Sequence, residues 1–312
     1  MEQKIHDVVI VGAGPAGLAA GLYAGRALLD TVILESRGPG GQMAQTHEIE
    51  NYPGFVNPVS GADLVQAMLE QAKRFGASIE SGMVEKLDLT GKIKEIHTSA
   101  GILKAKALIL ATGVEPRRLG VPGENEYTGR GVSYCATCDG AFFRGKKVAV
   151  VGGGDTAVKE ALFLTRFASE IVLIHRRDQL RSEQIQRQRL LSDKVISPRW
   201  FHVVQEIKGD GKRVQGVLLE NLQSGDSSYL ALDGVFVFIG RSPVGPLTDS
   251  GLKLDQGGFV ITDESMATNI PGVFAAGDVR SKRWRQIVTA TSEGSVAALE
   301  AAEYIENNQG SD

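Results

Sequence analysis

Two stretches of the chain show the same order of apolar and glycine-rich segments. In the first, four consecutive apolar residues (8–11) predict a buried parallel strand, followed by the glycine-rich turn 12–17. An Ala- and Leu-rich run then predicts a helix over residues 18–28, and a second strand over 31–34 ends at Glu35. This order predicts a β-α-β unit.

The same layout recurs 140 positions later. Strand 148–151 precedes the turn 152–157, a helix over 158–167 and a strand over 171–174. Gly152 follows Gly12 by 140 positions, and His175 follows Glu35 by the same interval. The repeat predicts two dinucleotide-binding units in one chain.

The remaining patterns are simpler. Residues 61–75 have helical spacing, strands are predicted over 107–110, 234–239 and 273–276, and the small-residue run 286–305 predicts a C-terminal helix. Segments 115–131 and 241–246 have the composition of linkers, and segments 87–106 and 200–232 alternate loosely. The fold class predicted is α/β with two Rossmann-like dinucleotide-binding domains.

Composition narrows the class of protein. The 312 residues include 34 Lys plus Arg against 37 Asp plus Glu, a net charge of −3, so no basic surplus favours nucleic acid. The apolar run 8–24 is preceded by Glu2 and Asp7 and interrupted by glycines, which argues against a signal peptide or a membrane span. We therefore expect a cytoplasmic protein with no membrane contact.

The first turn, Gly-x-Gly-x-x-Gly, has the context of a nucleotide-binding fingerprint. Gly12 permits the tight turn, Gly14 lets a pyrophosphate approach the backbone, and Gly17 lets helix and strand pack. Glu35, 23 residues beyond Gly12, is predicted to accept a hydrogen bond from a ribose hydroxyl. The alternative is a glycine-rich packing turn.

The second unit differs where Glu35 stands in the first. His175 takes that position, followed by Arg176, Arg177 and, slightly further on, Arg181. A carboxylate there would repel a 2′-phosphate, whereas guanidinium groups bind phosphate with paired hydrogen bonds. The second unit is therefore predicted to prefer NADPH over NADH, the alternative being a solvated charge cluster.

The two cysteines, Cys135 and Cys138, are spaced as a CxxC motif. A zinc site is disfavoured because no third cysteine exists and the five histidines show no paired ligand spacing. A structural disulfide is disfavoured because the loop is small and the expected compartment is reducing. The prediction is a redox-active dithiol, with Asp139 either moving the proton that thiol–disulfide exchange requires or capping a turn.

Gly277 and Asp278 end the strand predicted over 273–276, where an aspartate can hold the ribityl or phosphate-bridging groups of a flavin. The basic run 282–286 that follows has three interpretations, which are a contact with a cofactor phosphate, a partner surface and solvated surface, and sequence alone favours the last.

Taken together, these motifs resemble the low-molecular-weight, bacterial-type NADPH-dependent thioredoxin reductases over nearly the whole chain. The resemblance rests on an ordered series of short segments: residues 12–17, 40–42 (GGQ), 50–54 (ENYPG), 111–113 (ATG), 135–139 (CATCD), 152–157, 175–181 and 275–278.

The resemblance implies an FAD domain made from residues 1–114 and 245–312, with an inserted NADPH domain, 115–244, that carries the cysteines. It implies a homodimer in which electrons pass from NADPH through FAD and the disulfide to thioredoxin. Cys138 would face the flavin, Cys135 would attack thioredoxin, and Asp139 would be the proton-transfer acid.

Cofactor contacts also follow from the resemblance and the two fingerprints. For FAD they are Gly12, Gly14, Pro15, Ala16, Gly17, Glu35, Gly41, Gln42, Asn51, Val84, Ala111, Thr112, Gly113, Gly277, Asp278, Arg285, Gln286 and Ile287. For NADPH they are Gly152, Gly154, Asp155, Thr156, His175, Arg176, Arg177, Arg181, Ile239 and Gly240.

Three places depart from the family pattern: Trp284 replaces a tyrosine, Val244-Gly245 a polar pair, and Thr291-Ser292 small residues. They bear on the partner surface and the geometry over the flavin.

The alternative functions are a flavin–dithiol enzyme with another acceptor, such as a peroxiredoxin-system disulfide or oxygen, a ferredoxin-fed relative, and a non-catalytic nucleotide sensor. The cysteine pair argues against the sensor, and the arginines argue against ferredoxin as the donor.

Overall fold

The computed structural model describes residues 4–46 and 49–308. The chain forms two compact units. The first unit comprises Met1–Glu115 and Ser242–Asp312, and the second comprises Pro116–Arg241. Each is described by itself below.

The strands of the structure, numbered along the chain, are β1 (Ile5–Val11), β2 (Thr31–Glu35), β3 (Ser78–Ser81), β4 (Val84–Asp88), β5 (Lys94–Thr98), β6 (Gly101–Leu110), β7 (Val114–Pro116), β8 (Val132–Ser133), β9 (Lys147–Gly152), β10 (Glu170–His175), β11 (Ile196–Trp200), β12 (His202–Gly209), β13 (Val214–Asn221), β14 (Ser227–Ala231), β15 (Gly234–Phe238), β16 (Arg241–Pro243) and β17 (Val273–Ala275). Each of the two boundaries between the units falls within a short strand, β7 or β16.

The α-helices are α1 (Pro15–Arg26), α2 (Gly61–Arg74), α3 (Glu124–Tyr127), α4 (Ala136–Asp139), α5 (Asp155–Leu164), α6 (Gln184–Ser192) and α7 (Ile287–Asn308). Short 3-10 turns lie at Gly41–Gln45, Gly140–Phe143 and Gly277–Val279. Within residues 4–46 and 49–308, no helix is both long enough and apolar enough to cross a membrane.

The first unit is built on a mixed sheet with the strand order β3-β2-β1-β6-β5-β4. Strands β3, β2, β1 and β6 are parallel neighbours, whereas β4, β5 and the start of β6 are antiparallel. The end of β6 pairs instead with β17, in parallel. The carboxyl ends of β1, β2, β6 and β17 therefore meet at one edge, where open α/β sheets bind their ligands.

Both faces of this sheet are covered. Along β1, Val8 and Ile10 lie in one apolar cluster with residues of α1, α2 and α7, while Val9 and Val11 lie in a second cluster on the other face. Burial on both faces explains why the strand has four consecutive apolar residues. Helix α7 packs closely on α1, because a Cβ on Gly294 would lie only 2.0 Å from the carbonyl oxygen of Ala16.

The second unit repeats the plan. Its sheet has the order β11-β10-β9-β15-β8, with all neighbours parallel. Val148 and Val150 face one apolar cluster, which includes α5, and Ala149 and Val151 face another. A separate antiparallel sheet of order β12-β13-β14 packs its apolar residues into the latter cluster. The α/β fold with two Rossmann-like units is confirmed.

Several boundaries differ from the sequence prediction. Helices α1 and α5 begin three residues earlier than predicted, at Pro15 and Asp155, because the glycine before each takes the N-cap position. The segments predicted only as loose meanders contain β5 and β12–β14 and overlap the end of β4 and the start of β6. These antiparallel strands have partly exposed faces, so their apolar pattern is weak.

Candidate active site

The first glycine loop, residues 12–17, joins β1 to α1. Gly12 has φ +104°, and a Cβ on Gly17 would lie 1.7 Å from the carbonyl oxygen of Gly12. By contrast, a Cβ on Gly14 would meet no atom within 4 Å. The loop is therefore packed at its first and third glycines and open at its second, which fits the approach of a pyrophosphate to the N-terminus of α1.

Glu35 ends β2 beside this loop. Its Oε2 accepts a 2.9 Å hydrogen bond from the backbone N–H of Ala13, and its Oε1 accepts one of 2.9 Å from that of Arg37. A carboxylate has about four lone-pair positions, so both oxygens can still accept from a ribose hydroxyl. Glu35 thus both orders the loop and presents acceptors next to it.

A second glycine turn borders the same opening. The backbone N–H of Gly40 donates to the carbonyl oxygen of Ala13 at 2.7 Å, and a Cβ on Gly41 would lie 3.7 Å from Cα of Gly14. Gln42 extends the connection, because its side-chain amide donates to the carbonyl oxygen of Val114. The structure thus brings Gly41 to Gly14.

Residues 111–113 follow β6 at the same edge. The carbonyl oxygen of Ala111 would lie 2.4 Å from a Cβ on Gly12. The hydroxyl oxygen of Thr112 is buried and has no hydrogen-bond partner within the described parts of the chain. A buried polar atom without a partner costs free energy unless a ligand or water satisfies it, so Thr112 fits a cofactor contact.

Gly277 and Asp278 follow β17. Gly277 approaches α1 closely, since its Cβ would lie 2.8 Å from Cβ of Ala16. Its backbone N–H donates to Oε2 of Glu293 at 2.8 Å. Nζ of Lys282 lies 3.0 Å from the same Glu293 oxygen and 3.7 Å from Asp278.

This ion-pair group was missed by the sequence analysis. Glu293 also pairs with Arg280 at 3.0 Å, and the side chains of Arg280, Lys282 and Glu293 are only 11–14% exposed. The prediction that run 282–286 is solvated is therefore wrong for Lys282. It is wrong also for Arg285, whose guanidinium lies 4.2 Å from the ring centroid of Phe259.

The other predicted FAD contacts lie elsewhere in the first unit. The side-chain amide of Asn51 donates to Oε1 of Gln286 at 3.2 Å, just before Ile287 opens α7. Gly113 has φ +70° and faces open space. Val84 starts β4 and packs against the apolar cluster that holds Val9 and Val11. Its cofactor contact stays a prediction.

The second glycine loop, residues 152–157, has the same construction. Gly152 has φ +149°, and its Cβ would lie 2.3 Å from the carbonyl oxygen of Phe238 and 2.9 Å from Cβ of Ala157. A Cβ on Gly154, the second glycine, would again meet no atom within 4 Å. The loop thus leaves open the same position as the first, at the N-terminus of α5.

His175 holds this loop in a different way from Glu35. Its ring atoms would lie 2.2–2.6 Å from a Cβ on Gly153, its Nε2 lies 3.1 Å from the carbonyl oxygen of Gln179, and it meets Trp200 edge-on. The residue is only 6% exposed, and burial lowers the pKa of its imidazole, with smaller effects from the neighbouring arginines. His175 is therefore a buried neutral support at neutral pH.

The three predicted arginines lie around the loop. Arg176, Arg177 and Arg181 are exposed, and the backbone N–H of Arg181 donates to the carbonyl oxygen of Gly153 at 2.7 Å. In the parts of the chain that the structure describes, none of their guanidinium groups forms a salt bridge within 4.0 Å. Their side chains thus offer donors to a phosphate.

Two further residues shape this loop. Oδ1 of Asp155 accepts a 2.9 Å hydrogen bond from the backbone N–H of Glu183. Ser182, missed by the sequence analysis, has a buried hydroxyl without a hydrogen-bond partner among the described residues. Thr156 begins α5 with Asp155, and Ile239 and Gly240 follow β15 at the same edge of the sheet.

Cys135 and Cys138 form a disulfide with Cα atoms 5.4 Å apart. Cys135 is the N-cap of α4, and the backbone N–H of Cys138 lies 3.2 Å from its sulfur. Cys138 is exposed, whereas Cys135 is half-buried. A backbone donor on the Cys135 sulfur favours its thiolate once the bond is reduced.

The residues before Cys135 are firmly held. The backbone N–H of Cys135 donates to the hydroxyl of the buried Ser133 at 3.1 Å. The Tyr134 hydroxyl donates to Glu124 at 2.7 Å, and Glu124, 2% exposed, also accepts from the backbone of Leu119 and Gly120. Burial and Glu124 raise the pKa of Tyr134 to about 12.

Asp139 ends α4 and lines an open cavity of about 210 Å³ in the second unit. The rim carries the basic residues Arg130, Lys146 and Arg213, and Phe142, which is 74% exposed. This arrangement gives Asp139 a route to solvent, which proton exchange requires.

Comparison with known proteins agrees with this geometry. Residues 6–294 match the family model described as pyridine nucleotide-disulphide oxidoreductase. The chain belongs to that family.

Two relatives within the pyridine nucleotide-disulphide oxidoreductases and one solved structure are similar over almost their full length. The thioredoxin reductase of Listeria innocua is 49% identical over 98% of this chain and 95% of its own. That of Bacillus subtilis is 45% identical over 99% and 97%. The crystal structure of Lactococcus lactis thioredoxin reductase is 45% identical, with a TM-score of 0.93, over 97% of this chain and 99% of its own. The resemblance seen in the sequence is confirmed.

The structure shows the surroundings of a residue at each of the three departures from the family pattern. Trp284 is 56% exposed, with the Arg283 guanidinium 4.8 Å from its ring centroid. The backbone N–H of Val244 donates to the carbonyl oxygen of Gly113 at 3.2 Å. The Thr291 hydroxyl donates to the carbonyl oxygen of Ile287, one turn earlier in α7.

Proposed function

We propose that this chain is an NADPH-dependent thioredoxin-disulfide reductase that carries electrons through FAD and the Cys135–Cys138 disulfide to oxidised thioredoxin. The observation that supports this proposal most directly is the CxxC disulfide, which lies in a unit whose nucleotide loop is bordered by three exposed arginines. A nucleotide sensor has no use for such a disulfide, and a ferredoxin-fed enzyme has no use for the arginines.

The first unit is the site proposed for FAD, with residues 1–114 and 245–312 as its domain. Support comes from the open position at Gly14, the acceptors of Glu35 and the unsatisfied hydroxyl of Thr112. The second unit, with residues 115–244 as its domain, is the site proposed for NADPH. Its open position at Gly154 and the buried hydroxyl of Ser182 support this assignment.

Arg176, Arg177 and Arg181 would hold the 2′-phosphate that distinguishes NADPH from NADH. Guanidinium groups remain charged at neutral pH and pair with two phosphate oxygens at once. His175 supports the loop from below rather than contributing a charge, because burial lowers the pKa of its imidazole. We propose that this set of residues determines the choice of donor.

FAD, when bound, accepts a hydride from NADPH and passes two electrons to a disulfide. In the chain, the Sγ–Sγ bond of Cys135 and Cys138 breaks as those two electrons arrive, leaving two sulfur anions that take up protons to become thiols. Asp139 is proposed to hold and move a proton at the sulfurs, exchanging it with solvent through the cavity that it lines.

The second half-reaction is thiol–disulfide exchange with thioredoxin. The thiolate of Cys135 attacks one sulfur of the thioredoxin disulfide and releases the other as a thiolate, which takes a proton. Cys138 then attacks Cys135, so that the Cys135–Cys138 bond re-forms and reduced thioredoxin leaves. The cavity rim, with exposed Phe142 and basic side chains near α4, supports a protein partner at this face.

We also propose that the protein is a cytoplasmic homodimer. The proposal of a reducing compartment is supported by a cysteine pair that must be reduced in each cycle, and the dimer follows the family resemblance. Equilibrium sedimentation of the purified chain tests the oligomeric state, with twice the mass of one chain expected.

The enzymatic proposal is tested by anaerobic assays of NADPH oxidation with oxidised thioredoxin. Cys135→Ser and Cys138→Ser should each keep the flavin absorbance but lose thioredoxin turnover, while Ser169→Ala, an exposed change in the same unit, should match the unaltered chain. Full turnover by Cys138→Ser would overturn the proposal. The same assay is repeated in air. An equal rate of NADPH oxidation with and without thioredoxin would then indicate oxygen as the acceptor.

A further inference from the structure

Glu160 lies on α5, the helix that packs against α4 at the turn of the two cysteines. Helices α4 and α5 pack together, with Ala136 fully buried among Ala157, Ala161 and Leu164. The backbone N–H of Ala136, the residue that follows Cys135, interacts with the Glu160 carboxyl group and lowers its pKa. A carboxyl group outside the CxxC motif is thereby connected to the backbone between its two sulfurs.

The second oxygen of this carboxyl group is poorly accommodated. Oε2 of Glu160 is buried and has no hydrogen-bond partner in the described parts of the chain. Burial raises the pKa of Glu160, while the Ala136 N–H and the positive charge of Arg241 act in the opposite direction. An ionisable group held in this way is costly to the fold, which is typical of groups with a functional role.

We propose that Glu160 is a positioning residue that sets the acidity of the Cys135 and Cys138 thiols, and with it the reducing power of the pair. The inference rests on the proposed function only in taking the pair as redox-active. It concerns neither cofactor binding nor the recognition of thioredoxin.

Two opposed contacts act on the turn. The backbone N–H of Cys138 points at the Cys135 sulfur at 3.2 Å and stabilises a thiolate there. The Glu160 carboxylate interacts with the neighbouring Ala136 N–H and adds a negative charge on the side of α4 that packs against α5. A nearby like charge disfavours ionisation, so the carboxylate raises the pKa of the thiols.

The acidity of the thiols determines the direction of electron flow. Reduction of the disulfide takes two electrons and, at pH values below the thiol pKa, two protons. A site that stabilises the thiolate stabilises the reduced state and makes the disulfide a stronger oxidant. By destabilising the thiolate, Glu160 makes the dithiol a stronger reductant, which suits a pair that donates electrons to another disulfide.

Three charged groups belong to the same surroundings: Arg241, which acts on Glu160, Asp139, which ends α4, and Lys159, which precedes Glu160 on α5. A test must therefore remove the charge of Glu160 alone. Glu160→Gln does so and leaves a carbonyl oxygen that can accept from Ala136. Glu170→Gln is the matched control, since Glu170 is a half-exposed carboxylate of the same unit that pairs with Lys147.

The experiment measures the thiols of the reduced, FAD-containing protein directly. The rate of alkylation by iodoacetamide is followed against pH, with mass spectrometry to assign each cysteine, and the dithiol–disulfide equilibrium is measured in dithiothreitol buffers. For Glu160→Gln we expect faster alkylation at neutral pH and an equilibrium shifted about tenfold toward the dithiol, equivalent to ~30 mV for a two-electron couple. Glu170→Gln should match the unaltered chain.

Glu160→Asp keeps the charge and should keep the thiol acidity near that of the unaltered chain, which covers the case in which Glu160→Gln does not fold. Identical alkylation profiles and equilibria for Glu160→Gln and Glu170→Gln would overturn the inference, as would an Asp variant that behaves like the Gln variant. Neither readout uses thioredoxin, so failure to turn over thioredoxin would overturn the proposed function and leave this result standing.

Discussion

Oε2 of Glu35 accepts a 2.9 Å hydrogen bond from the backbone N–H of Ala13, inside the first glycine loop. At the matching position of the second unit, the buried ring of His175 lies against Gly153, which corresponds to Ala13. The same structural position thus supports both loops, once with a carboxylate and once with an imidazole. Only the second is compatible with a phosphate on the neighbouring ribose, because it brings no negative charge.

The glycines of the first loop should separate folding from cofactor binding. Gly17→Ala places a Cβ 1.7 Å from the carbonyl oxygen of Gly12, so it should lower the free energy of unfolding by about 3 kcal/mol or more. Gly14→Ala meets no atom within 4 Å and should change the stability of the FAD-free protein by about 1 kcal/mol at most.

Gly14→Ala should nevertheless weaken FAD binding by about tenfold or more, because its methyl group enters the opening at the N-terminus of α1. Urea unfolding of the FAD-free proteins measures the predicted changes in stability, and FAD titration measures the predicted loss of FAD affinity. If Gly14→Ala bound FAD like the unaltered chain, the first loop would not be the FAD site.

Removing the Glu35 side chain should reduce FAD content. Glu35→Ala leaves the N–H groups of Ala13 and Arg37 without their acceptor, which costs about 1–3 kcal/mol for a buried donor, and removes the acceptor for ribose. The ratio of flavin to protein absorbance after purification measures the effect. Glu85→Ala, an exposed change in the same unit, should retain full FAD content, and equal ratios for the two variants would contradict the assignment.

Replacing one arginine of the second loop should alter the choice of donor. Arg177→Ala should raise KM for NADPH about tenfold and leave KM for NADH unchanged, since one charge-assisted hydrogen bond contributes roughly 1.5–3 kcal/mol. Steady-state kinetics with both nucleotides provide the measurement. Arg166→Ala, just beyond the carboxyl end of α5, should behave like the unaltered chain. An equal rise in both KM values would show that Arg177 does not contact the 2′-phosphate.

The buried His175 should make the stability of the folded chain sensitive to acid. Burial lowers its pKa in the folded chain, so below about pH 6.5 the unfolded chain binds a proton that the folded chain resists. The unfolding free energy should therefore fall as the pH falls from 6.5, with a slope of up to about 1.4 kcal/mol per pH unit from this one group. Denaturant unfolding of the chain and of His175→Gln between pH 5 and pH 7 should show a shallower slope for the variant. Equal slopes would contradict the lowered pKa.

Local sequence patterns were sufficient to predict both nucleotide loops and the strands that lead into them. Strands β1 and β9 are buried on both faces, so their apolar runs are continuous, and the turn glycines follow at fixed spacing. Strand β14 could not be predicted from its pattern in the same way, because most of its residues are exposed and show little alternation of apolar and polar positions.

Contacts that depend on packing between distant segments were missed. Glu293 reaches Gly277 and Lys282 only because α7 lies against the end of β17, and Glu160 comes near Ala136 only because α5 packs against α4. Neither carboxylate belongs to a short motif. Each is a supporting residue whose partner is fixed by the tertiary structure, so single-sequence spacing carries no signal for it.

The central claim is that NADPH, FAD, the cysteine pair and thioredoxin form one electron path. It is tested most directly by anaerobic titration of the yellow protein with NADPH and, separately, with NADH, followed by addition of oxidised thioredoxin while the flavin absorbance is recorded. We predict that NADPH bleaches the flavin at far lower concentration than NADH and that thioredoxin restores the colour. A flavin that NADPH reduces and thioredoxin does not reoxidise would contradict the acceptor, and a flavin that neither nucleotide reduces would contradict the donor.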